Sequence, residues 1–147
     1  MFKVSDMMTP NPHTLLRSNS IDDARNMMTE HDIHHVPIVD DEGLLLGLVT
    51  QKDLLSAQES SLQRQSEELD TNHLAQLSEL MHKSVMTVSP HGGLKEAAKF
   101  MQKHKIGCLP ILENGKLVGI ITDTDFVGIA INLLELQEEV EPIEIFE

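Results

Sequence analysis

Two stretches of the chain are copies of one another. The segment SIDDARNMMTEHDIHHVPIVDDEGLLLGLVTQKDL, from Ser20, matches GLKEAAKFMQKHKIGCLPILENGKLVGIITDTDF, from Gly93. Ile21, Ala24, Met28, Ile33 and Pro37 align with Leu94, Ala97, Met101, Ile106 and Pro110 at a spacing of 73. One residue is then dropped in a turn, and Gly47, Thr50 and Asp53 align with Gly119, Thr122 and Asp125 at a spacing of 72. A deletion confined to a turn is what a structural repeat tolerates. A repeat of this kind restricts the fold to two similar units stacked on a shared core, and 147 residues suit that arrangement.

Each copy spells out the same elements. Thr14–Leu16 and Val88 fall in short extended pieces near prolines. A helix follows, because Leu94, Ala97, Ala98 and Met101 recur at i, i+3, i+4 and i+7, and Ile21, Ala24 and Met28 do likewise. Ser20 with Asp23 three residues on resembles a capping box, with Asp in place of Glu. Strands are predicted at Val36–Val39 and Leu109–Leu112, turns at Asp40–Gly43 and Glu113–Gly115, and second strands at Leu45–Val49 and Leu117–Ile121. Asn114-Gly115 is a strong hairpin signal. A second helix is expected from Asp53 and from Asp125. The fold class is therefore α/β, two βαββα repeats. Residues 1–56 form the first motif and 77–136 the second. The polar stretch 57–76 reads as a helical extension, with Leu69, His73, Leu77 and Leu80 near helical spacing, or as a disordered linker. Residues 137–147 form an acidic tail, read as a soluble, partly disordered end.

Composition narrows the partners. Net charge is -13 and aromatics are 3% of the chain, with no Trp or Tyr. A nucleic-acid binder needs a basic footprint or stacking rings, and this chain offers neither in bulk. The single cysteine, Cys108, cannot make an internal disulfide, which fits a reducing compartment. The N-terminus lacks the apolar stretch of a signal peptide, and no segment reaches the length of a membrane span. A cytoplasmic protein with no membrane partner is expected.

The local signal with chemical content is GLVTQKDL and GIITDTDF. A strand ends, its Thr hydroxyl leaves the sheet edge, and a helix begins. First-turn amides lack intrahelical partners and can hold an anion. Thr50 and Thr122 can contact phosphate or ribose, and Asp53 and Asp125 can accept bonds from vicinal ribose hydroxyls. The same residues can equally serve as local helix caps. Lys52 lies between Thr and Asp in the first copy, whereas the second has Asp123 and Thr124 there. An acid beside a phosphate costs Coulomb energy unless it turns to solvent. The first motif thus suits phosphate and the second a less charged ligand.

The h-P-h-h segments VPIV and LPIL, together with GLVTQKDL and GIITDTDF, occur twice at regular spacing. In this the chain resembles a tandem pair of CBS domains, a Bateman module, over residues 3–56 and 77–134. The openings VSDMMTPNPHTL and MHKSVMTVSP fit the same pattern. It looks most like small stand-alone or acetoin-utilisation-like CBS proteins. The resemblance implies pseudo-twofold packing with two clefts between the copies. Family members often bind AMP, ADP, ATP or S-adenosylmethionine there, with no cofactor required. By that pattern Asp53 and Asp125 hold ribose hydroxyls and Thr50 and Thr122 contact ribose or phosphate. Ile33, His34, His35, Val36, Pro37, Ile106, Gly107, Cys108, Leu109 and Pro110 line the adenine pocket, with Thr14, Leu15, Leu16, Thr87, Val88 and Ser89.

Catalysis and metal binding find no support in the residues. His31, His34 and His35 cluster, with His13 and Asp32 near them, but in no zinc spacing. Adjacent histidines on a strand point to opposite faces. Cys108 reads as a small buried hydrophobe. No nucleophile elbow or Walker-type loop is present. The expected function is regulatory sensing of an adenine-containing ligand, with an effector protein as a further partner. The alternative is a ligandless structural or interaction module. A homodimer is expected from the apolar run FVGIAINLLEL at 126–136, aided by Leu94, Ala97, Ala98 and Met101. The rival is that 126–136 packs within the monomer against 69–80.

Overall fold

The computed structural model of the chain describes residues 1–65, 76–138 and 143. Its elements run α1 (Val4–Met7), β1 (Thr9–Pro10), β2 (Leu15–Leu16), α2 (Ile21–His31), β3 (His35–Val39), β4 (Leu45–Thr50) and α3 (Gln51–Gln65). There follow α4 (Leu77–Leu80), α5 (Leu94–His104), β5 (Cys108–Glu113), β6 (Lys116–Thr122) and α6 (Asp123–Glu135). The two-copy α/β reading holds.

The local signals act as their chemistry requires. Ser20 Oγ accepts the Asp23 amide at 3.1 Å, and Asp23 accepts the Ser20 amide at 2.9 Å, closing the expected capping box on α2. That amide, with the Asn19 side chain, holds the Asp23 carboxyl below its ordinary value. Helices α2 and α5 both end on a left-handed residue, Asp32 (φ 52°) and Lys105 (φ 54°). The turn Asn114-Gly115 has φ of 54° and 81°, the positive pair that a two-residue hairpin needs. Helices α3 and α6 begin two residues earlier than expected, at Gln51 and Asp123, because Thr50 and Thr122 end their strands and their hydroxyls hold the third helical amides.

The two sheets have orders β2-β3-β4 and β1-β6-β5, so the second copy's sheet takes a strand from the first. The opening segment of the first copy pairs with the second: Thr9 lies opposite Ile120 and Pro10 opposite Gly119. In return, His82, at the start of the second copy, exchanges both backbone hydrogen bonds with Leu48 (3.0 and 2.9 Å). The anchoring of these straps repeats as well. Val4 and Ser5 amides donate to Gly92 and Pro90, and Leu77 and Ser78 amides donate to Asn19 and Arg17. Val88 lies beside β5 as β2 lies beside β3, and its amide donates to the Pro110 carbonyl at 3.1 Å. The turns touch too, with Leu117 N–H donating to the Gly43 carbonyl at 3.1 Å.

Two cores result. Ala24, Met28, Val36, Ile38, Val49 and Leu54 enclose Leu77, a strap residue from the second copy. Leu94, Ala97, Met101, Leu109, Ile111 and Ile121 enclose Val4, a strap residue from the first. Leu48, Cys108 and Ile120 join the two halves. Burying each strap residue fully contributes about 1.5–3 kcal/mol. Because Leu94, Ala97 and Met101 are core residues, they cannot form part of a dimer surface as expected; the same periodicity that places them on one face turns that face inward.

The polar stretch after the first copy is helical to Gln65. Leu69, His73 and the rest of 66–75, and the tail residues 139–142 and 144–147, lie outside the described residues. No described helix is long and apolar enough to cross a membrane.

Candidate functional site

Strand β4 runs directly into α3 and β6 into α6, so each Thr sits at a strand-to-helix corner. In both copies the Thr and Asp side chains close a reciprocal cap. The Thr50 amide donates to Asp53 Oδ2 (2.9 Å) and the Asp53 amide to Thr50 Oγ1 (3.2 Å). Thr122 and Asp125 repeat this at 2.9 and 3.2 Å. The capping role is therefore realised, and it occupies one oxygen of each carboxylate. The other oxygens differ. Asp53 Oδ1 is 2.9 Å from His82 Nε2, whereas among the described residues Asp125 Oδ1 has no partner.

The first-turn amides differ as well. In α6, Asp123 N–H donates to the Gly107 carbonyl (2.9 Å), Thr124 N–H to Asp123 Oδ1 (2.8 Å) and Asp125 N–H to Thr122. All three are satisfied internally. In α3, Gln51 N–H donates to the His34 carbonyl (2.9 Å) and Asp53 N–H to Thr50, while Lys52 N–H has no acceptor among the described residues. The exposed Lys52 thus offers both a free amide and an ammonium at a helix start.

Two of the expected segments come together where the copies face each other, at His35 and Gly107. A Cβ on Gly107 would stand 3.0 Å from Asp123 Oδ2 and 3.4 Å from His35 Nε2, so Gly107, Asp123 and His35 surround one point. Asp123 is exposed, but its carboxylate is turned toward Gly107 and His35. Burial holds the His35 imidazole below its ordinary value; Asp123 and Asp53 pull it upward and His34 pushes it down. Burial, with the charges of Asp123 and Asp125, pushes the Cys108 thiol up to about 12. Such a thiol stays protonated near neutrality and is no nucleophile.

Several other expected lining residues point elsewhere. Val36 and Leu109 are fully buried in the two cores, and Pro37, Pro110 and Cys108 are buried, so these five can offer a ligand little beyond backbone. The burial runs through consecutive residues of β3 and β5, which are covered on both faces. Leu15 and Ile33 pack against the first core, and Val88 and Ile106 against the second. Thr14 is half-buried; His34, Leu16, Thr87 and Ser89 are exposed, with Ser89 Oγ accepting the His91 amide at 3.2 Å. His13 stacks on His31 with ring centroids 3.7 Å apart. Among the described residues no three His, Cys, Asp or Glu side chains gather as metal ligands do. An open groove of about 460 Å³, between α5 and α6, is lined by Lys95, Lys99, Met101, Ile106, Asp123 and Phe126.

Sequence reasoning missed His82. It lies 29 residues from Asp53, and in the repeat register its counterpart, 73 residues earlier, is Thr9. Only the strap exchange brings it to the cap.

The CBS domain family model matches residues 4–60 and 77–132. Among curated proteins, the match spans 93% of a CBS domain-containing protein of Dictyostelium discoideum, 30% identical over 135 residues, which is 90% of this chain. It spans 22% of a homoserine O-acetyltransferase of Methanocorpusculum labreanum, 32% identical over 120 residues, or 81% of this chain. Among solved structures the chain is similar to a protein assigned to acetoin utilization, AcuB, from Vibrio cholerae (59% identity, TM-score 0.85, 95% of this chain and 98% of that one). It is also similar to CBSX2 in complex with AMP (31%, 0.77, 91% and 99%), a protein of Arabidopsis thaliana. The CBS domain pair of protein MJ0100, in complex with 5′-methylthioadenosine and S-adenosyl-L-methionine, is similar too (26%, 0.74, 90% and 98%).

Proposed function

The chain belongs to the CBS-domain family, a family of regulatory and non-catalytic modules, and from that premise we propose that it senses an adenine-containing ligand in the clefts between its two copies. The observation that carries this reading is the pair of strand-to-helix corners, each presenting a Thr and an Asp. A carboxylate with one oxygen committed to its cap has a second that a ribose hydroxyl can reach, open at Asp125 among the described residues and contacted by His82 at Asp53. Relatives that hold AMP, or 5′-methylthioadenosine and S-adenosylmethionine, support the ligand class.

The clefts differ in the charge they favour. The free amide and ammonium of Lys52 suit a phosphate, as in AMP, ADP or ATP. The internally satisfied α6 start, with Asp123 beside it, disfavours a phosphate and suits an adenosyl group of neutral or positive charge, as in S-adenosylmethionine. No cofactor is needed. Lys52→Ala tests the phosphate contact: it weakens AMP and ATP by several-fold and leaves adenosine unchanged in calorimetry. Equal losses for all three exclude the contact.

A second reading rests on α6, none of whose residues is buried. Val127, Ile131, Leu133 and Leu134 are each about half exposed, and Leu55, the repeat counterpart of Val127, is exposed on α3. We infer a homodimer that covers this surface. The sensor acts in the cytoplasm and passes its state to an effector protein through a change of shape. Were no adenine ligand to bind at millimolar concentration, dimerisation alone would be the module's role.

A further inference from the structure

The two cap aspartates are equivalent in the repeat but not in their surroundings. The strap beside each sheet lies two residues before the capping Thr: His82 pairs with Leu48, and Thr9 with Ile120. The backbone of His82 is fixed by two hydrogen bonds, and its ring reaches Asp53 Oδ1 at 2.9 Å. The Asp53 side chain is only 16% exposed, whereas the His82 side chain is 59% exposed. The carboxylate is thus set back in the corner and the imidazole stands over it from the solvent side. At the other corner, among the described residues, Thr9 makes no hydrogen bond to Asp125.

We propose that His82 is an internal competitor for the Asp53 carboxylate, so that the first cleft is latched and the second is open. This rests on the ribose-binding reading of Asp53 and Asp125. A ribose hydroxyl that donates to Asp53 Oδ1 must displace the imidazole donor or share the oxygen with it. The exposed side of the ring can swing into water without disturbing the strap, because the backbone pairing with Leu48 does not depend on the side chain. Hydrogen bonds to a charged group are stronger than neutral ones, but the exposure of His82 moderates this one. The latch therefore weakens the first site by roughly twofold to fivefold. It also makes that site depend on what happens to the strap: any partner that holds His82 away from Asp53 raises affinity there, and only there.

AMP titrated calorimetrically into four variants of the chain tests this. Asp125→Ala isolates the first cleft, and Asp125→Ala with His82→Ala unlatches it. Asp53→Ala isolates the second cleft, and Asp53→Ala with His82→Ala is the control; this pair is titrated with S-adenosylmethionine as well, the ligand that cleft favours. The expected result is AMP binding roughly twofold to fivefold tighter on unlatching the first cleft, with no change in the control pair. His82→Asn in place of His82→Ala keeps a polar side chain and produces the same direction with a smaller gain. Unchanged or weaker binding on removal of His82 overturns the latch while leaving the ligand reading standing. An equal gain in the control pair also overturns it, because the effect would not pass through Asp53. Absence of AMP binding in all variants and in the unsubstituted chain overturns the ligand reading, and the latch with it.

Discussion

The His82 carbonyl lies so close over Gly47 that a Cβ at that position would stand 2.8 Å from it, and Met81 Sδ would be equally near. Gly119 is covered in the same way by Met8, with the Thr9 carbonyl 3.1 Å from a Cβ there. The glycines that open GLVTQKDL and GIITDTDF therefore make room for the exchanged straps. Gly47→Ala forces a backbone shift in a packed sheet and is expected to destabilise the fold by about 1–3 kcal/mol. Gly119→Ala presses first on a flexible methionine and costs less. Urea unfolding of both variants checks the order; a neutral Gly47→Ala contradicts the strap packing.

Acid should weaken the fold through His35. Its folded-state value lies below the ordinary 6.5, mainly through burial. Between the ordinary value and the lower folded one the unfolded chain binds more protons, so stability is full above the ordinary value, declines as pH falls toward the folded one, and levels off below it. One such group gives at most about 1.4 kcal/mol per pH unit. Urea midpoints between pH 7.5 and 5.5 should fall for the unsubstituted chain and fall less for His35→Asn. Parallel curves would remove His35 from the account.

Much of this was legible in the sequence, for identifiable reasons. The repeat, the helix faces, the caps and the Asn114-Gly115 turn are local signals, and each acts where its chemistry places it. The straps were not legible. Residues 4–10 and 77–82 are too short for any periodicity, and their partners lie far along the chain. Residues 1–10 read as the start of the first copy but complete the second copy's sheet. The same blindness hid His82 from Asp53. The family resemblance also implied Val36 and Leu109 as pocket lining, and the side chains of both fill cores.

The apolar surface of α6 predicts a dimer that one charge should break. Leu133 is exposed, whereas Ile129 packs against the second core. Leu133→Glu is the cleaner probe, since Ile129→Glu also disturbs the monomer. Sedimentation equilibrium should give a dimer mass for the unsubstituted chain at tens of micromolar and a monomer mass for Leu133→Glu, with unchanged circular dichroism. A monomer mass for both defeats the dimer.

In the proposed function, the Asp53 and Asp125 corners hold an adenine-containing ligand. Calorimetric titration of AMP and S-adenosylmethionine into the unsubstituted chain and into Asp53→Ala/Asp125→Ala tests it most directly. Removing a hydrogen bond to a charged group costs about 1.5–3 kcal/mol, so the double variant should lose affinity by at least roughly tenfold. Each lost cap contact costs about 0.5–2 kcal/mol of stability, and circular dichroism should still report a folded chain. Affinity unchanged in the folded double variant, or no binding of either ligand by the unsubstituted chain at millimolar concentration, would contradict the account.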